Sequence, residues 1–167
     1  MKTASLLAPA LLLAASLAAS AGELAKPTGP VVLTVTGAIA NTNADGAAEF
    51  DLAMLEALPG RKAVVETPWY EGSVTFEGPL GRAVLEAVGA TGTTLTVAAL
   101  NDYAAEVPVE DFTGRDTILA TRLGGAPMSV RDKGPLFLIY PFDLEPGLAN
   151  EKYFSRSVWQ IKTIAVE

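Results

Sequence analysis

Beyond residue 30 the chain breaks into short stretches of alternating polarity separated by turn-forming residues, the pattern of a strand-rich domain. Val31 to Ile39 alternates and is rich in β-branched residues, which predicts a strand; Asn41 to Ala47, with Asp45-Gly46, predicts a turn. Leu52, Leu55 and Leu58 recur at helical spacing behind Asp51, a suitable N-cap, and Pro59-Gly60 ends that helix. Lys62 to Thr67 reads as strand, Trp69 to Gly72 as loop and Ser73 to Phe76 as a short strand. Gly78-Pro79 opens a second helix with Leu80, Val84, Leu85 and Val88 on one face, closed by Gly89.

Thr93 to Leu100, with Leu95 and Val97 between threonines, is the clearest strand, and Tyr103 to Val107 is a suitable partner for it. Asp116 to Leu123 and Met128 to Val130 flank Gly124-Gly125, a hairpin signal. Leu136 to Tyr140 is a continuous apolar run, expected to be buried on both faces, and Val158 to Val166 is an alternating closing strand that places Trp159 in the core. Many short strands with two or three short helices predict an α+β, mainly-β single domain. Its expected extent is residues 31–167, after a flexible lead-in over 22–30 that contains Pro27 and Pro30.

The first 21 residues have another pattern. Lys2, the apolar run Leu6 to Ala19 and the small residues Ala19-Ser20-Ala21 form a signal peptide with its cleavage site, and Pro9 argues against a membrane anchor. The expected location is the periplasm, with no membrane insertion after cleavage. Loss of Lys2 takes the formal charge of −7 one unit lower, and an acidic chain with scattered cations does not suit nucleic acid.

The chain has no cysteine and no histidine. That excludes a disulfide, a thiolate metal ligand, a Cys–His pair and a Ser–His–Asp triad. The residues left for function are carboxylates, hydroxyls, arginines, aromatics and backbone groups. Glu110-Asp111 and Asp143-x-Glu145 lack calcium-loop spacing and read as solvated acids, and Gly89-x-x-Gly92 follows a helix instead of opening one.

Four segments carry more polar and aromatic detail than packing demands. Glu66-Thr67-Pro68-Trp69-Tyr70 follows a strand, where two aromatics can wall a planar-ligand site or simply cover the core edge. Asn101-Asp102-Tyr103 follows the best strand and is equally an ordinary turn. Tyr140-Pro141-Phe142-Asp143 ends the buried strand. Tyr153-Phe154-Ser155-Arg156 sets an arginine among aromatics, fit for stacking, for a carboxylate, or for a surface ion pair.

In order, Phe76-x-Gly78-Pro79-Leu80 with Gly89-Ala90, Asn101-Asp102-Tyr103, Leu119-Ala120 through Met128, Gly134 to Pro141, and Val158-Trp159-Gln160-Ile161 resemble the sulfite-oxidase-type molybdopterin-binding domain over residues 31–166. In that family a cysteine near the first strand–loop junction binds molybdenum. The corresponding stretch, Val65 to Trp69, has none, and a threonine hydroxyl is a poor donor for a high-valent metal. The size, the signal and the Asn-Asp-Tyr and Tyr-Pro-Phe-Asp segments are similar to small cysteine-free periplasmic members of the PruR type. That resemblance implies a non-catalytic pterin-binding protein, with a reduced pterin as ligand and no tightly bound cofactor. It also implies, as partner, the periplasmic region of a membrane-bound cyclic-di-GMP enzyme or sensor kinase. The site residues it suggests are Glu66 or Asp102 as carboxylate, Arg156 as cation, Trp69, Tyr103 or Tyr140 as stacking surface, and Thr67 beside them. The alternative it leaves is a molybdopterin-dependent oxidoreductase with an altered metal ligand.

Overall fold

The computed structural model describes residues 24–167, and the signal segment expected over residues 1–21 lies outside the described residues. The described chain is a single β-rich domain built on three sheets. The largest has the order β2-β1-β11-β5-β6, formed by β1 (Val31–Gly37), β2 (Ala48–Asp51), β5 (Thr94–Ala99), β6 (Ala104–Pro108) and β11 (Ile161–Val166). Only β1 and β11 run parallel; the other pairings in this sheet are antiparallel. Period-two alternation explains its buried face, where Leu33 and Val35 of β1, Leu95 and Val97 of β5, and Ile164 and Val166 of β11 meet in the core.

The second sheet is antiparallel, in the order β3-β4-β8-β9. It comprises β3 (Gly60–Glu66), β4 (Ser73–Pro79), β8 (Arg122–Leu123) and β9 (Ala126–Pro127). The third pairs β7 (Ile118–Ala120) with β10 (Phe137–Ile139), all six residues buried. Main-chain bonds stitch the sheets together. Leu138 N–H donates to the Val158 carbonyl and Ile161 N–H to the Leu136 carbonyl, at 2.9 and 3.1 Å, so β10 is also bound to the segment that feeds β11. This is what fixes Trp159 in place, through a bridge to Phe137.

Four short helices connect the strands. In α1 (Leu52–Glu56) the Asp51 carboxylate accepts from Met54 N–H, the expected N-cap. The same carboxylate accepts from Thr28 and Gly29 N–H, so the lead-in expected to be flexible is tied to the β2–α1 junction. These three backbone donors hold its pKa below the ordinary carboxylate range. Helix α2 (Gly81–Val88) buries Val84, Leu85 and Val88 and ends at Gly89 in the left-handed conformation, φ 60°. Gly78 and Pro79 belong to the end of β4, not to the helix. A Cβ on Gly81 would lie 2.4 Å from the Phe112 ring, so glycine is needed where α2 meets α3 (Glu110–Thr113). Helix α4 (Glu151–Arg156), capped by Asn150, precedes the closing strand.

Three expectations are corrected. The strand expected over Asp116–Leu123 is broken at Thr121, whose N–H donates to the Glu77 carbonyl; β7 and β8 join different sheets. Met128–Val130 is not a strand: the hairpin arm after Gly124-Gly125 is Ala126–Pro127. Trp159 is not in the core, and 37 % of its surface is exposed.

Candidate functional site

Trp159 opens onto a groove of about 370 Å³ between the β5–β6 turn and α4. Its aromatic lining is Trp69, Tyr103, Phe154 and Trp159, and its polar lining is Asn101, Glu151, Ser155 and Ser157. Trp69 comes from the loop after β3 and is anchored by Phe137, ring centroids 5.1 Å apart. It meets Phe154 and Trp159 edge-to-face at 5.6 and 6.2 Å, so the three rings line the groove without stacking face to face. Tyr103 closes one side by donating its hydroxyl to the Ser155 carbonyl at 2.8 Å. Both tryptophans of the chain therefore stand in one groove.

The mouth of this groove holds three non-glycine residues at positive φ: Asp102 (65°), Lys133 (69°) and Gln160 (53°). Asp102 lies between Asn101 and Tyr103; Gln160 follows Trp159 and donates its N–H to the Lys133 carbonyl at 3.0 Å. A left-handed conformation costs such residues about 1–2 kcal/mol each. Strain of this kind gathers where a binding surface must keep its shape.

Helix α4 explains why one segment serves two purposes. Glu151, Phe154 and Ser155 follow helical spacing and line the groove, whereas Tyr153 and Arg156 occupy another face. Arg156 donates to Asp111 Oδ2 at 2.9 Å, and the fully buried Tyr140 donates its hydroxyl to the same oxygen at 2.8 Å. Arg115 reaches Asp111 Oδ1 at 3.9 Å and pairs with Glu145. Burial, followed by the Asp111 charge, pushes the Tyr140 phenol far above its ordinary pKa. Asp111, read from the sequence as a solvated acid, is a buried hub behind the groove wall.

The structure thus brings Trp69 and Tyr103 into the groove. Tyr140 lies behind it with no face open to solvent, and Arg156 is engaged with Asp111. Asp102 is exposed on the turn and pairs with Lys162 at 2.9 Å. Glu66 is exposed at the end of β3, with Ser73 Oγ 3.4 Å from its carboxylate. Thr67 is buried, and its hydroxyl has no hydrogen-bond partner among the described residues. Sequence reasoning missed Glu151, Phe154 as a lining residue and Trp159. The signal for the first two was Asn150, an N-cap that sets the helical phase of 151–155.

A second, wider cleft of about 560 Å³ lies over β3, β4 and β8, with Arg61, Lys62 and Arg122 beside Glu56 and Glu77. Its charges are already matched: Arg122 grips Glu56 at 2.8 and 3.0 Å, Lys62 reaches Glu77 at 3.1 Å, and Arg61 pairs with Asp143. The Arg122 guanidinium accordingly holds the Glu56 carboxyl below its usual range. The groove, in contrast, is lined mainly by aromatic and apolar side chains.

No family model matches the chain, and no curated protein matches it. Solved structures do. The sulfane dehydrogenase SoxCD from Paracoccus pantotrophus superposes with a TM-score of 0.58 at 17 % identity, over 80 % of this chain and 37 % of that one. The two share a fold, and this chain spans little more than a third of the length of the other.

The family resemblance implies a molybdopterin group, and the residues do not fit its metal. Around Val65–Trp69 the side-chain donors are the exposed Glu66 carboxylate and the neutral, buried Thr67 hydroxyl. Among the described residues no three Asp or Glu side chains gather as a metal site. Neither a thiolate nor a clustered set of anions is present to hold a high-valent ion.

Proposed function

We propose that the protein is a non-catalytic, periplasmic pterin-binding protein that passes ligand occupancy to the periplasmic region of a membrane-bound signalling protein, a cyclic-di-GMP enzyme or a sensor kinase. One observation carries the reading: the groove that joins the Trp69 and Asn101–Tyr103 segments is an aromatic box sized for a small planar heterocycle. The fold shared with the sulfane dehydrogenase accords with the resemblance over residues 31–166, and the PruR-type features of the sequence select pterin binding within it.

A reduced pterin has a flat face for the rings and a 2-amino-4-oxo edge for hydrogen bonds. Each aromatic contact contributes about 0.5–1.5 kcal/mol beyond burial, so two or three suffice for micromolar binding once polar contacts are added. Signalling requires that the ligand bind the partner-competent state more tightly than the other. The rim suits such a readout, because Tyr103 and Trp159 line the groove and are exposed, and a bound ligand would become part of that surface.

Because both tryptophans line the groove, their emission reports directly on occupancy. A tetrahydropterin titrated into the protein quenches this emission in a saturable manner, with matching calorimetric heat and no turnover. Emission and heat unchanged through millimolar ligand would refute pterin binding.

A further inference from the structure

We propose that β3 is an interface for a second copy of this chain: the free edges of two β3 strands pair antiparallel about Val64 and join two four-stranded sheets into one. The proposal does not depend on the pterin reading, since no residue of β3 lines the aromatic groove.

The order β3-β4-β8-β9 leaves β3 with a neighbouring strand on one side only. Among the described residues β3, with seven, is the longest strand at a sheet edge. By comparison, β2 has four residues, β9 has two and contains Pro127, and β6 ends on Pro108 with α4 packed against it. The pairing of β3 with β4 is unbroken from Gly60 to Glu66. No bulge turns this edge away, and no proline interrupts it between Pro59 and Pro68. Leu80 N–H donates to the Pro59 carbonyl at 2.9 Å, which fixes the alternation along the strand. Arg61, Ala63 and Val65 turn their main-chain groups to β4, and Gly60, Lys62, Val64 and Glu66 turn theirs outward. Those outward groups have no hydrogen-bond partner among the described residues. The side chains of the same residues lie on the solvent face, where Val64 is 58 % exposed.

An open edge of this kind is commonly guarded by charge, and a guard of one sign would repel its own copy. Here Lys62 and Glu66 stand two residues to either side of Val64 and carry opposite signs. A two-fold axis through Val64 therefore sets the two valines against each other and each Lys62 against a Glu66, with about six main-chain hydrogen bonds from the three residue pairs. Parallel, in-register pairing would oppose like charges instead. Lys62 already reaches Glu77 of β4 at 3.1 Å, so the second copy's Glu66 would extend a row of alternating sign across the joined sheet. Strand pairing alone buries less than a standard interface, which makes the dimer weak and sensitive to these charges.

Sedimentation velocity of the purified protein from about 1 to 500 μM reads the equilibrium, with urea unfolding of each variant as a folding check. The wild type moves from monomer to dimer across that range. Lys62→Glu and Glu66→Lys each turn both attractive pairs repulsive and weaken self-association about tenfold or more. An equimolar mixture of these two variants recovers the dimer, because every charge then meets its opposite. Val64→Pro removes the central outward N–H without touching a bond to β4, and it abolishes the wild-type dimer. Lys62→Glu also loses the ion pair with Glu77, whereas Glu66→Lys keeps it, so Glu66→Lys and Val64→Pro carry the test if the first variant unfolds. A wild type that stays monomeric throughout overturns the proposal and leaves the edge to a strand of another protein. A dimer that survives the charge reversals, or a mixture of folded variants that stays monomeric, overturns it as well.

Discussion

Replacing Asp111 with alanine removes the hub behind the groove wall. The Asp111 carboxylate accepts from Tyr140 Oη at 2.8 Å and Arg156 Nη1 at 2.9 Å, and stands 3.9 Å from Arg115 Nε. Asp111→Ala leaves a buried phenol hydroxyl without a partner and a largely buried guanidinium without its counter-ion. Removing one partner of such a pair costs about 3–5 kcal/mol. Tyr140→Phe deletes only the hydroxyl and leaves Asp111 with both arginines, a loss of about 1–2 kcal/mol. With a urea m-value of about 2 kcal/mol/M, the midpoint falls by roughly 2 M for Asp111→Ala and by less than about 1 M for Tyr140→Phe. The two variants also differ at the groove. Asp111→Ala frees Arg156 and with it α4, so tryptophan-detected affinity drops even though Asp111 does not line the groove. Alkaline pH provides an independent arm. The unfolded tyrosine ionises near pH 10 and the folded one well above, so stability falls as pH rises beyond about 10. Tyr140→Phe removes part of that fall. An Asp111→Ala midpoint within about 0.3 M of wild type would refute the hub.

Three further outcomes are expected. Thr67→Val removes a buried hydroxyl that has no partner, keeps the shape of the side chain, and raises stability by about 1 kcal/mol in urea unfolding; a loss would mean that this hydroxyl is satisfied. Glu56, with its carboxyl held below the ordinary range by Arg122, contributes stability that is present above that range and lost as pH falls through the folded-state pKa. Glu56→Gln therefore shows a shallower acid-side decline than wild type in thermal melts across the acid range. Gly81→Ala sets a methyl group 2.4 Å from the Phe112 ring and costs about 1–3 kcal/mol, measured by the same unfolding experiment.

Much of this fold was legible because period-two alternation is a local signal. β1, β5 and the all-apolar β10 fall where their patterns put them, and the Asp51 cap and the Gly89 stop bound their helices as read. What escaped depended on long-range contacts. Thr121 continues the strand pattern of its neighbours, yet a bond to the Glu77 carbonyl splits β7 from β8. Trp159 has the composition of a core residue, but the main-chain bonds of Val158 and Ile161 to β10 delay the start of β11 and leave its indole on the groove. At the site, the segments were visible before the side chains within them. Tyr153 to Arg156 reads in sequence as an arginine among aromatics, whereas helical phase sends Phe154 into the groove and Arg156 inward to Asp111. The burial of Asp111 had no local signal, because it follows from where Tyr140 and Arg156 come to rest.

The most direct test of the account is a crystal structure of the protein grown with a reduced pterin. The predicted result is the bicyclic ring held among Trp69, Phe154 and Trp159, with its side chain pointing to solvent. Ligand density in the cleft between Arg61 and Arg122 instead, or an aromatic groove filled by its own side chains at saturating ligand, would contradict it.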